Sequence, residues 1–111
     1  MGKFEISKRK NGEFQFNLKA GNGQVILSSE GYTKKENCKN GIESVRKNSQ
    51  VESRFEKLES KNGKPYFNLK ATNGLIIGTS ELYESVASRD NGIASVVKNA
   101  PDAEVVDLSA E

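Results

Sequence analysis

"FNLKAGNG" occupies residues 16–23, and "FNLKATNG" occupies residues 67–74. The two phrases differ only at Gly21 against Thr72 and lie 51 residues apart. Working outward at that offset, Phe4–Asn48 aligns with Phe55–Asn99 without a gap, and about half of the positions are identical. "SSEGY" faces "TSELY", and "NGIESVRKN" faces "NGIASVVKN". The chain is therefore a duplication. The same offset carries Phe4-Glu5-Ile6 to Phe55-Glu56-Lys57 and on to Val106-Asp107-Leu108. The middle segment thus closes the first unit and opens the second. No Ser/Gly-rich linker separates the halves, so one domain over 1–111 is expected, with repeat one at 3–52, repeat two at 54–103 and a closing strand at 103–109.

Each unit reads as a meander followed by a helix. Asn11-Gly12 and Asn62-Gly63 part short alternating runs, a strong hairpin signal resting on tolerance of positive φ. Asn22-Gly23 and Asn73-Gly74 mark the second turn. The strands of the first copy are expected near 3–8, 14–20 and 24–29. In the second strand Phe14, Phe16, Leu18 and Ala20 share one face, while Gln15, Asn17 and Lys19 share the other. Pro65 cannot donate to a ladder, so it should open its strand or sit at an edge. The period then changes. Thr33 and Glu36 fit a capping box, and Cys38, Gly41, Ile42 and Val45 fall at helical spacing. The second copy offers Val86, Ile93, Val96 and Val97, with Pro101 beyond them. The fold class is α+β, two interlocked β-β-β-α-β repeats with pseudo-two-fold symmetry.

These residues resemble the YegP-like family of small uncharacterised bacterial proteins. The likeness rests on F-x-L-K-A-x-N-G, then S-E-x-Y, then N-G-I-x-S-V-x-K-N-A, covering nearly the whole chain. The first repeat departs from the last pattern at "KNSQVES", where the second keeps "KNAPDAE". The resemblance implies a single antiparallel sheet from both units, helices packed on one face, and exchanged final strands. It brings no established activity, so it assigns no catalytic residue.

Composition narrows the chemistry. The 111 residues carry 17 basic and 15 acidic side chains, no histidine, no tryptophan and one cysteine. Lack of histidine removes the commonest neutral-pH base and metal ligand, so neither a metal nor a cofactor is expected. A net charge of +2 is too mild to announce nucleic acid or anionic lipid. No run approaches the apolar length of a membrane span, and "MGKFEISKRK" lacks the stretch of a secretory signal. A cytoplasmic monomer without a membrane partner is the expectation, because a tandem copy supplies its own symmetry mate.

Two groups of residues are candidate sites. Asn17, Lys19, Asn68 and Lys70 form a repeated polar sheet face, joined by Tyr66. As structure, such a face is solvated and discourages edge pairing; as function, it offers donors to an acidic protein or to a phosphate backbone. Single-strand nucleic-acid binding is the weaker reading, since the counterpart of Tyr66 is Gln15 and a duplicated stacking platform is missing. The second group is Glu30, Tyr32, Glu81 and Tyr83 in the strand-to-helix loops. They suit a binding loop, and alternatively a metal-independent enzyme, but local backbone satisfaction and packing explain the same residues. Cys38 corresponds to Arg89 and reads as a buried, inert thiol. Of the six Asn-Gly pairs, four are hairpin turns and two start helical motifs; none belongs to a phosphate loop. The leading reading is a small non-catalytic binding or interaction module.

Overall fold

A computed structural model describes residues 2–109. In chain order the elements are β1 (Lys3–Lys8), β2 (Phe14–Lys19), β3 (Val25–Ser28), α1 (Lys35–Asn48), a short 3-10 turn (Glu52–Arg54), β4 (Phe55–Glu59), β5 (Pro65–Lys70), β6 (Ile76–Thr79), α2 (Val86–Asn99) and β7 (Glu104–Asp107). The strands form one sheet in the order β4-β5-β6-β3-β2-β1-β7. The pseudo-dyad passes between β3 and β6, which meet at Ser28 and Thr79. Pro65 opens β5, where no ladder donor is demanded of it.

The hairpin turns depart from the expectation in their backbone. Gly12, Gly23, Gly63 and Gly74 take positive φ, but no other described residue does. The asparagines act through their side chains instead. The Oδ1 atoms of Asn11, Asn22 and Asn73 accept the amides of Glu13, Gln24 and Leu75, each about 3.0 Å away.

The sheet is mixed and not wholly antiparallel. β7 runs parallel to β1, with Phe4 opposite Val105 and Ile6 opposite Asp107. The closing strand of repeat two is thus exchanged onto the opening strand of repeat one. Repeat one has no strand to give in return. Its closing segment is β4, which is already the opening strand of repeat two, pairs only with β5 and cannot lie beside itself. One exchange is complete, and the outer edge of β4 is open.

Both helices cover the same face. α1 packs on β2 and on β5 and β6 of the other repeat, and α2 packs on β5 and β3. Beneath them lies an aromatic ladder built twice. Phe4 meets Phe16 edge-on at 5.8 Å, and Phe16 stacks on Tyr32 at 6.4 Å. Phe55, Phe67 and Tyr83 repeat this at 5.7 and 6.4 Å. Each buried Phe or Leu contributes about 1.5–3 kcal/mol, and such aromatic pairs add roughly 0.5–1.5 kcal/mol.

Cys38, Gly41, Ile42 and Val45 are buried on α1, as their spacing predicts. The expected capping box is absent: Lys34 is the N-cap and makes no side-chain cap bond. On α2 the cap is Ser85, whose hydroxyl accepts the Ser88 amide. The stripe of α2 also differs. Val96 and Gly92 are buried, but Val86 and Val97 are 54% and 37% exposed. The cause is the one-sided exchange. Arg46 of α1, at the position of Val97, donates to the carbonyls of Pro101 and Ala103 at 3.0 and 2.9 Å beside β7, while no strand lies beyond β4 to cover α2.

Candidate functional site

The open face of the sheet carries a polar row that crosses six strands. Register places Glu5 beside Asn17, Asn17 beside Ser28, Ser28 beside Thr79, Thr79 beside Asn68, and Asn68 beside Glu56. The side chains of Asn17, Lys19, Asn68, Lys70 and Tyr66 therefore share the face away from the helices. The lysines are spent locally: Lys19 lies 2.9 Å from Glu5, and Lys70 lies 3.2 Å from Glu56. Hydrogen bonds from Asn68 and Lys70 hold the Glu56 carboxyl below its ordinary range. Asn68 Oδ1 accepts the Thr79 hydroxyl at 2.8 Å, whereas the equivalent oxygen of Asn17 is buried without a donor. Tyr66 stands alone among rings on this face, opposite Leu58.

The strand-to-helix loops use most of their repeated residues on themselves. Ser29 Oγ accepts the Phe16 amide at 2.9 Å and donates to the Glu30 carbonyl at 2.8 Å; Ser80 does the same with Phe67 and Glu81. These clips hold the loop against the second strand, so that Tyr32 and Tyr83 turn inward onto Phe16 and Phe67. Their hydroxyls lie against Gly41 and Gly92, where any β-carbon would collide with them. Burial, with smaller contributions from Cys38 and Glu30, pushes the Tyr32 phenol up; burial and Glu81 do the same for Tyr83. Glu30 is exposed at the strand-to-helix turn, as is Glu81 in the second copy. Burial, followed by Asp107, pushes the Cys38 thiol up to about 11. Among the described residues no group of His, Cys, Asp or Glu could hold a metal ion.

Two clefts lie where the helix of one repeat faces the second turn of the other. The first, about 450 Å³, sets Asn40, Ser44, Lys47 and Asn48 of α1 against Ala71, Thr72 and Asn73. The second, about 630 Å³, sets Asn91, Ser95, Lys98 and Asn99 of α2 against Ala20, Gly21 and Asn22. These are equivalent places in the duplication, but they differ at Thr72 against Gly21 and at Glu43 against Ala94, and Gly2 and Asp102 line only the second. Each cleft also carries one carboxylate, Glu43 in the first and Asp102 in the second.

Structure accounts for part of this repetition. Asn48 Nδ2 donates to the Ser44 carbonyl at 2.8 Å and to its hydroxyl at 3.1 Å, and Asn99 repeats both bonds on Ser95. Asn22 and Asn73 brace their own turns. Asn40, Lys47, Asn91 and Lys98 remain: all four are exposed, and among the described residues no hydrogen bond or ion pair engages their side chains. Sequence reasoning did not single them out. The signal was present in "NGIESVRKN" and "NGIASVVKN", whose common Asn, Ser, Lys and Asn fall at i, i+4, i+7 and i+8, one helix face.

Comparison with known proteins identifies relatives of the whole chain. A family model described as a domain of unknown function (DUF1508) matches twice, over residues 10–56 and 60–107. A UPF0339 protein of Shewanella oneidensis is 56% identical over 108 residues, covering 97% of this chain and 98% of the relative. The UPF0339 protein YegP of Escherichia coli K12 is 53% identical over 106 residues, 96% of each chain. The solution NMR structure of the Shewanella protein superposes with a TM-score of 0.93 at 56% identity, covering 97% of this chain and 92% of that one. That of E. coli yegP, titled a protein of unknown function, superposes at 0.94 with 51% identity and coverage of 99% and 95%.

Proposed function

The chain belongs to the DUF1508 family, and we propose that it is a small non-catalytic binding module with two equivalent polar clefts, each taking one small polar metabolite. The observation that carries this reading is the recurrence of Asn40 and Lys47 as Asn91 and Lys98, exposed and without a side-chain partner among the described residues in either copy. Glycines, core residues and clip serines recur because the fold needs them; these four side chains have no such duty. Each cleft offers an ammonium group, carboxamides that donate and accept, a hydroxyl and one carboxylate. That set suits a ligand bearing both an acidic group and hydroxyl or amino groups. The hydroxyls of Tyr32 and Tyr83 lie against helix glycines, and burial pushes both phenols up, so these repeated side chains serve the packing.

The test is calorimetry against sugar phosphates, free amino acids and nucleoside monophosphates. Two sites per chain are expected for the ligand that binds, one after Lys47→Ala or Lys98→Ala, and none after both. A stoichiometry unaffected by either change refutes the clefts. A second reading keeps the open sheet face as the surface for a polar partner, favoured by the buried Asn17 oxygen that has no donor.

A further inference from the structure

The outer side of β4 is unpaired, whereas β1, its equivalent in repeat one, carries β7 along that side. Beside the open edge runs a groove of about 550 Å³, with Phe55 of β4 and Ile93, Ala94 and Val97 of α2 as its apolar wall. Phe55 and Val97 stand where repeat one has Phe4, opposite Val105 of β7, and Arg46, which grips the chain leading into β7. The groove is a second seat of the β7 type.

Its charges indicate what fits. In the filled seat Asp107 lies opposite Ile6 and is held 2.8 Å from Lys35 of α1. In the open seat the helix cation has become Val86, and the strand residue has become Lys57. A cation again serves the far end, now from the strand, while the near end has exchanged Arg46 for the exposed Val97. Among the described residues Lys57 is engaged only by Asp90, at 3.6 Å and with both side chains about half exposed, a pair that gives way readily.

We infer that this edge docks an extended segment of a partner protein, laid parallel to β4, with apolar residues over Phe55 and Val97 and a carboxylate on Lys57. Strand addition supplies backbone bonds, and alternate side chains supply selectivity. A second copy is the poorer occupant. Its β7 would have to leave its own β1, and antiparallel pairing of two β4 strands centred on Lys57 sets like charges opposite one another. This half-exposed lysine on the helix side of β4 guards the edge against its own kind while suiting an acidic segment.

The probe is the chain's own strand as a synthetic peptide, PDAEVVDLS (residues 101–109), titrated to about 1 mM, the range of a weak peptide complex, into isotope-labelled full-length protein. Saturable NMR shifts are expected at 54–59 and 90–98, with slowed exchange of outward β4 amides and no shifts at 3–8. Val97→Glu, at an exposed position, is expected to weaken the peptide by about tenfold or more with the rest of the spectrum unchanged. Replacing the peptide's second aspartate by lysine is expected to weaken it likewise. The inference is overturned by the lack of saturable shifts at β4, by shifts at β1 that report displacement of β7, or by concentration-dependent broadening of β4 without peptide, which would make a second copy the occupant.

Discussion

Leu27 of β3 and Gly78 of β6 hold equivalent positions on the two central strands, and the side chain of the first fills the space left by the second. A β-carbon on Gly78 would lie 2.7 Å from the Leu27 side chain. The pseudo-dyad is therefore packed asymmetrically: there is room for one leucine and not two. Gly78→Ala is expected to destabilise by about 1–3 kcal/mol in urea unfolding, since overpacking costs that much in a closed core. Adding Leu27→Ala should give a double variant more stable than the sum of the single losses, with a coupling of roughly 0.5–3 kcal/mol. Strict additivity would mean that the two positions do not share this space.

Gly41 sets a second close contact, because its missing side chain admits the Tyr32 hydroxyl, 2.5 Å from where a β-carbon would stand. Alanine in a helix interior normally gains about 1 kcal/mol over glycine. Here the collision outweighs that gain, and Gly41→Ala is expected to lower stability by about 1–2 kcal/mol. Pairing it with Tyr32→Phe removes the colliding oxygen and should restore part of the loss, since Phe16 Cε2 and the ring carbon Cζ still lie 3.0 Å from the new β-carbon. Thermal unfolding of the three variants checks the sign.

Cys38 has no exposed surface, and its thiol is raised to about 11. At neutral pH it should react with thiol reagents only through unfolding, far slower than a free thiol. Its folded pKa lies above its unfolded one, so its contribution to stability is full below the unfolded pKa and is lost as pH rises towards about 11. Labelling rates measured across urea concentration should track the unfolded fraction.

Asp107 ties β7 to α1. Hydrogen bonds from Lys35 and then Ser109 hold its carboxyl at about 2. The depressed value means the contribution is present above the unfolded pKa of about 3.9 and disappears as pH falls towards about 2. Amide protection factors along β1 and β7, referred to the intrinsic exchange rate at each pH, should therefore fall on acidification before those of the rest of the sheet. Asp107→Asn should show that lower protection already at neutral pH and lose its acid dependence.

The duplication, the meander, the shared middle segment and the inward face of each second strand were legible because they rest on local signals: identity at a fixed offset, Asn-Gly turns and alternation. What stayed hidden depends on partners distant in sequence. The parallel seating of β7 follows from one segment serving two repeats, which a letter pattern does not orient. Thr33 and Glu36 carry the local signature of a capping box, yet the helix begins one residue later, with Lys34 at the N-cap. Val86 and Val97 were read as core, since periodicity reports apolar character but not whether a strand arrives to cover it. Alternation puts the polar residues of each second strand on the face away from the helices, yet Asn68 is buried there and the lysines are tied to Glu5 and Glu56 across the ladder. The clefts escaped notice because each joins a helix to the turn of the opposite repeat.

The most direct test of the paired clefts is an amide and side-chain NMR titration with the ligand that calorimetry selects from the metabolite panel. The account predicts shifts that come in pairs 51 residues apart: Asn40 with Asn91, Ser44 with Ser95, Lys47 with Lys98, and the turns at 71–73 and 20–22. Shifts confined to the sheet face around Asn17 and Asn68, or to one helix alone, would contradict it.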